Sequence, residues 1–249
     1  MSNMGGWAAV PSGLVVRSGE LHVFRAELAP AHYTLGDALE LVTDEERAMA
    51  ETFGRSADGW AFLNARAMIR RVLGWVLGRS PAGVQFCRSE HGQLALVDRE
   101  VCFSAAHVGG QQMVAVSLSS EVGVDVQDSH VAYAENLHLA LTEWEQRLLR
   151  RLSPAARQMF FLSLWTRKEA VLRAAGYGLR VPPEEVDVLV EDGAGAVAVP
   201  LPNGAGVTEI HVRDLPSGRG TVAAAAATVP VTALHTWTFN ATFHQAHSC

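Results

Sequence analysis

The stretch Trp165-Thr166-Arg167-Lys168-Glu169-Ala170-Val171-Leu172-Arg173-Ala174-Ala175-Gly176-Tyr177-Gly178-Leu179 reads as an amphipathic helix that carries charge on its apolar face. Phe161, Trp165, Glu169 and Leu172 recur at spacings of four, four and three, so Glu169 shares a stripe with large apolar side chains. A carboxylate buried without a partner is costly, and the stripe therefore predicts a bound cation at Glu169. Ser153-Pro154 starts this helix and Gly176 and Gly178 end it.

Working outward, Thr142-Glu143-Trp144-Glu145 opens a preceding helix that runs to about Leu152. After Pro182-Pro183 the pattern turns to strands, over Val186 to Val190, Ala196 to Val199, Val207 to Val212 and Thr221 to Val229. Upstream, residues 21–28 read as a strand, and Thr43-Asp44-Glu45-Glu46 as a capped helix start. Phe62, Ala65, Ile69, Leu73 and Val76 keep a helical period from about Gly59 to Leu77. Val84 to Phe86 and Leu94 to Val97 flank a Ser89-Glu90-His91-Gly92 turn. Met113 to Leu118 and Val122 to Val126 are expected to form a hairpin about Ser119-Ser120-Glu121, and strict alternation puts Asp125 and Gln127 on the face opposite Val122, Val124 and Val126. The predicted class is α+β, with two similar halves in a pseudo-twofold arrangement, each a small mainly antiparallel sheet packed with a long helix. The boundaries are 1–120, 121–229 and a lightly packed tail, 230–249, that carries His235, His244 and His247.

Composition bounds the rest. The chain has 249 residues, 49% hydrophobic and 18% charged, and is long enough to bury a substantial core. A formal net charge of −6, with its acids dispersed, argues against a nucleic-acid partner. Cys87, Cys102 and Cys249 lack metal or redox spacing, which points to a reducing compartment. No leader or membrane-length apolar run stands out, so a cytoplasmic, membrane-free protein is expected.

Three pieces carry a resemblance: Gly123-Val124-Asp125, the Trp165 to Leu179 stretch, and Cys102-Phe103-Ser104-Ala105-Ala106-His107-Val108-Gly109. Together they resemble the Sfp-type 4′-phosphopantetheinyl transferases, over roughly residues 40–190. Trp165, Lys168, Glu169, Gly176, Gly178 and Leu179 match the helix signature and its downstream glycines. The resemblance implies transfer of 4′-phosphopantetheine from coenzyme A to a serine of an apo acyl or peptidyl carrier protein, as in polyketide or nonribosomal peptide biosynthesis, by a monomer. It implies Mg²⁺ held by Asp125, Glu169 and Gln127, a catalytic set of Glu169, Lys168 and Asp125, and coenzyme A contacts from His107, Arg173, Ser104 and Lys168. Glu143 falls where the family carries a glutamate, a position that equally suits a helix-start carboxylate. Carrier docking is expected over residues 128–155, with Leu148 and Leu149 on that surface.

The chain departs from the family pattern in several places. Gln127 stands where many relatives carry a second acid, Ser104 to Val108 lacks the usual amide and hydroxyls, and Glu46, Met49 and Ala61 replace basic positions. These changes open an alternative, a diverged member without transfer activity that binds carrier proteins or serves other biosynthetic chemistry. A metal-dependent phosphohydrolase built on paired carboxylates is a third reading, with no Gly-rich phosphate loop to support it.

Overall fold

The computed structural model describes residues 6–28, 34–53, 57–130, 139–216, 218 and 220–240. Two sheets stack back to back, and a long helix covers the outer face of each. The first sheet has the order β1 (Ala8–Ala9), β11 (Ala233–Phe239), β2 (Glu20–Glu27), β6 (Gln111–Ser117), β5 (Cys102–Val108). The second has the order β7 (Val122–Asp128), β10 (Thr221–Ala227), β9 (Val207–Asp214), β8 (Ala194–Pro200), all antiparallel. A small hairpin, β3 (Phe86–Arg88) and β4 (Leu94–Leu96), stands apart.

The period-two pattern of each strand decides which layer a side chain joins. Phe24, Val114 and Val116 pack against Ile69, Val72 and Leu73 of α3 (Ala57–Val76). Their neighbours Val23, Met113 and Ala115 face the second sheet, where they meet Val122, Val124 and Val126. The far side of that sheet packs on Phe161, Leu164, Val171 and Leu172 of α5 (Pro154–Ala174). Ala223–Ala227 are all buried in the middle of the stack, and their small side chains let both neighbouring layers approach β10. Two capped helices, α1 (Leu35–Leu39) and α2 (Asp44–Thr52), pack beside α3. A fourth, α4 (Glu143–Arg150), precedes α5. Among the described residues no helix is long and apolar enough to cross a membrane.

The α+β class and the two long helices are as expected; three local expectations differ. Met113 to Leu118 and Val122 to Val126 are no hairpin, because β6 pairs with β2 and β5 while β7 pairs with β10. The Ser119-Ser120-Glu121 link crosses between sheets, held by Ser120 Oγ, which accepts from the amides of Thr228 at 2.9 Å and Val229 at 3.3 Å. Val186 to Val190 is not a strand, although Val186 and Val188 are fully buried against α5. The segment expected to be a lightly packed tail contributes β11, which runs parallel to β2 in the first sheet with His235 beside His22. Leu234 and Phe239 join the apolar layers on its two sides, so alternation that looks irregular by itself suits a half-buried strand that makes apolar contacts on both faces. His244, His247 and Cys249 lie outside the described residues.

Candidate active site

Strand β7 and helix α5 meet where two carboxylates are needed. Gly123 has no side chain because a Cβ there would overlap the Ala170 carbonyl, and this close approach brings the α5 face of β7 against the turn that carries Glu169. Asp125 and Gln127 follow on that face, and Gln127 Nε2 donates to Asp125 Oδ2 at 2.9 Å. Arg173, one turn beyond Glu169, sets its guanidinium between both acids, 3.7 Å from Asp125 and 3.5 Å from Glu169. Asp125 is 3% exposed, and its pKa is pushed up to about 6. Burial is the main cause; Arg173 and Gln127 act against it, and the Glu169 charge adds to it. A buried acid crowded by a second acid is a place where added positive charge is favourable. Asp125 and Glu169 are oxygen donors that could hold a hard divalent cation such as Mg²⁺, while Gln127 turns its amide nitrogen toward Asp125.

Beside this pair a cavity of about 220 Å³ opens between α3 and the end of the first sheet. Phe62, Ile69 and Phe103 give it an apolar wall, and Arg66, His107 and Arg173 add its basic groups. Partial desolvation lowers the pKa of His107, and Arg173 and Arg66 lower it further. Ser104 also lines the cavity, with its Oγ accepting from the Val124 amide at 3.2 Å, so it ties the two sheets together next to Asp125. The hairpin β3–β4 closes one side, where Gln93 Nε2 donates to the Arg173 carbonyl at 3.2 Å and His91 meets Arg180 at 3.1 Å. Glu46, at a position expected to be basic, lies 2.8 Å from Arg70 and 3.7 Å from Arg66 and so offsets part of the positive charge near the cavity.

Lys168 is not in this site. Its side chain is fully buried on another face of α5, 2.7 Å from Glu145, and also donates to the carbonyls of Pro183 and Val186. The charge that is fully buried in the apolar stripe is thus Lys168, while Glu169 stays partly accessible beside Asp125. Glu143 is exposed and lies 3.7 Å from Arg147, and it is Glu145 that reaches inward. Glu145 also closes the capping box of α4 with Thr142 and accepts from the Val188 amide at 3.0 Å. The Thr142-x-x-Glu145 spacing was the available sequence signal for that residue. Leu149 is a core residue, which removes it from the docking surface, whereas Leu139 and Trp144 are exposed. Arg66 and Gln112 of the cavity are further members that local sequence patterns do not mark.

A second group of ligand-type side chains lies in the first sheet, where Glu20, His22 and His235 come together. Trp237 Nε1 donates to His22 Nδ1 at 3.0 Å, which leaves Nε2 carrying the proton that meets Glu20 at 3.0 Å. Both ring nitrogens of His22 are therefore engaged, and the group holds β11 to β2.

Residues 121–227 match the family model described as the 4′-phosphopantetheinyl transferase superfamily. The chain is 28% identical to the 4′-phosphopantetheinyl transferase HetI of Nostoc sp., over 73% of this chain and 79% of that protein. It is also 28% identical to a 4′-phosphopantetheinyl transferase of Bacillus subtilis, over 66% of this chain and 72% of the other. With the transferase Sfp of Bacillus subtilis strain 168 it shares 21% identity over 65% of this chain and 73% of that protein.

Proposed function

We propose that the chain is a 4′-phosphopantetheinyl transferase, which moves 4′-phosphopantetheine from coenzyme A to a serine of an acyl or peptidyl carrier protein, a reading supported by the superfamily match over residues 121–227 and by its similarity to named transferases. The observation that carries this reading is the convergence of Asp125 and Glu169 about Arg173, at the edge of a cavity with further basic groups. Asp125 and Glu169 would hold Mg²⁺, which when bound neutralises charge on the pyrophosphate. Arg173, Arg66 and His107, which line the cavity together, offer donors to the anionic groups of coenzyme A, its 3′-phosphate included. Glu169 accepts the proton of the carrier serine as its oxygen bonds to the pantetheine-side phosphorus. The bond from that phosphorus to the bridging oxygen breaks, and adenosine 3′,5′-bisphosphate leaves. Exposed Leu139 and Trp144, before and within α4, offer an apolar landing for the carrier. We take the enzyme to act as a cytoplasmic monomer, without nucleic-acid or membrane partners.

The test is intact-mass analysis of several apo carrier proteins after incubation with the protein, coenzyme A and Mg²⁺. A mass gain that disappears with a chelator, and in Asp125→Ala and Glu169→Ala, is expected; no gain with any carrier sinks the transferase reading. Neutral Gln127 is the feature that favours the alternative of a carrier-binding protein without transfer. Carrier binding without mass gain would select that alternative.

A further inference from the structure

Two residues that line the cavity each carry a buried polar atom with no hydrogen-bond partner among the described residues: Gln112 Oε1, an acceptor, and Arg173 Nε, a donor. The orientation of Gln112 is fixed by its own contacts. Its Nε2 donates to the Ala106 carbonyl at 2.9 Å and to the Met113 carbonyl at 3.1 Å. Turning the amide over would set its oxygen against two carbonyl oxygens, so the acceptor remains unused. Gln112 is 1% exposed, where an unmet acceptor costs free energy, and such a group in a cleft calls for a donor from outside the chain.

The surroundings limit what that donor can be. Gln112 stands directly across the strand pair from His107, and Arg66 and Arg173 line the same space. The unused acceptor thus sits among groups suited to an anion, and the unused donor of Arg173 asks for an anionic oxygen. A ligand that meets both carries a hydrogen-bond donor next to a phosphate. In coenzyme A the ribose 2′-hydroxyl adjoins the 3′-phosphate, while the adenine amine and the pantetheine hydroxyl and amides lie further from any phosphate. Resting on the coenzyme A reading above, we infer that Gln112 is a specificity residue whose Oε1 accepts from the 2′-hydroxyl of the 3′-phosphorylated ribose.

The test is calorimetric titration with adenosine 3′,5′-bisphosphate and with its 2′-deoxy counterpart, using the unaltered protein and Gln112→Met. The unaltered protein is expected to bind the ribose form about tenfold tighter, the size of one well-made hydrogen bond at a buried acceptor. Gln112→Met should bind both forms alike. Equal binding of the two nucleotides by the unaltered protein overturns the inference, and so does a preference that survives in Gln112→Met. The first comparison needs no variant, so a folding defect in Gln112→Met, detected by circular dichroism, does not shield the idea. Failure of the unaltered protein to bind either nucleotide or coenzyme A itself would instead remove the coenzyme A reading on which the inference stands.

Discussion

Glu145 and Lys168 show at the scale of single residues why a charge near a motif need not belong to the chemistry. Both side chains are fully buried at 2.7 Å, and burial pulls the lysine pKa down while Glu145 pulls it back up. Removing one partner leaves a bare buried charge, so Lys168→Met should destabilise the fold by about 3–5 kcal/mol in urea unfolding. Lys168→Met with Glu145→Gln, which removes the bare charge and keeps an acceptor at that position, should recover much of that loss, and the Michaelis constant for coenzyme A should stay near its original value. A large rise in that constant in the stable double variant would return Lys168 to the phosphate site. Gln127 makes the opposite prediction: Gln127→Glu adds a carboxylate beside Asp125 and should tighten Mg²⁺ roughly tenfold in a metal titration of transfer. Asp125 and Gln127 could be placed on one face from sequence because strand alternation is a local rule. Glu169 and Lys168 are adjacent, and the choice between them was made by Glu145 and the Pro183 to Val186 turn, which no helical period contains.

Among the elements, β7 depends on Gly123 and α4 on Thr142. Gly123→Ala must push β7 away from α5 at the Ala170 carbonyl, so the melting temperature should fall sharply and transfer should be lost with it. An unchanged melting temperature would show that the two elements can part without cost. Thr142→Ala removes the cap whose glutamate also holds Lys168, and should cost about 1 kcal/mol or more in urea unfolding. The helices were legible because caps and apolar periods are written within each segment: Thr43 and Ser153 mark starts that the structure keeps. The pairing of strands was less legible. Two alternating runs joined by three residues look the same whether the chain turns back or crosses to another sheet, and only the burial of both faces of β6 separates the cases. Val186 and Val188 mimic a strand for a similar reason, since burial asks for apolar residues whatever the backbone does.

For the whole molecule, the first sheet is where acid should act. Burial lowers the pKa of His22, with Glu20 opposing and His235 assisting, so at this site the folded chain holds fewer protons than the unfolded chain just below pH 6.5, whereas Asp125, raised to about 6, holds more and acts in the opposite direction. The His22 contribution to stability therefore falls as pH drops through 6.5 toward the lower folded value. Glu20, lowered chiefly by its hydrogen bond to His22, loses its own contribution at still lower pH. The difference in melting temperature between the unaltered protein and His22→Asn should shrink as pH falls from 8 through 6.5, because only the unaltered protein loses the His22 contribution there. A difference that stays constant over that range would refute this account. Removing residues 233–249 should abolish cooperative unfolding, since β1 pairs only with β11 among the described strands and β2 would lose its parallel neighbour. That dependence was hidden in the sequence because a parallel pairing across more than two hundred residues leaves no local mark. The placement of β11 also sets an order for synthesis. Residues 20–117 can leave the ribosome carrying β2, β5 and β6, yet one edge of β2 stays open until residues 233–239 emerge. During that interval the nascent chain offers an unpaired apolar edge, so β11, the last of the described strands to be made, is the one that ends its exposure to chaperones and to other nascent chains.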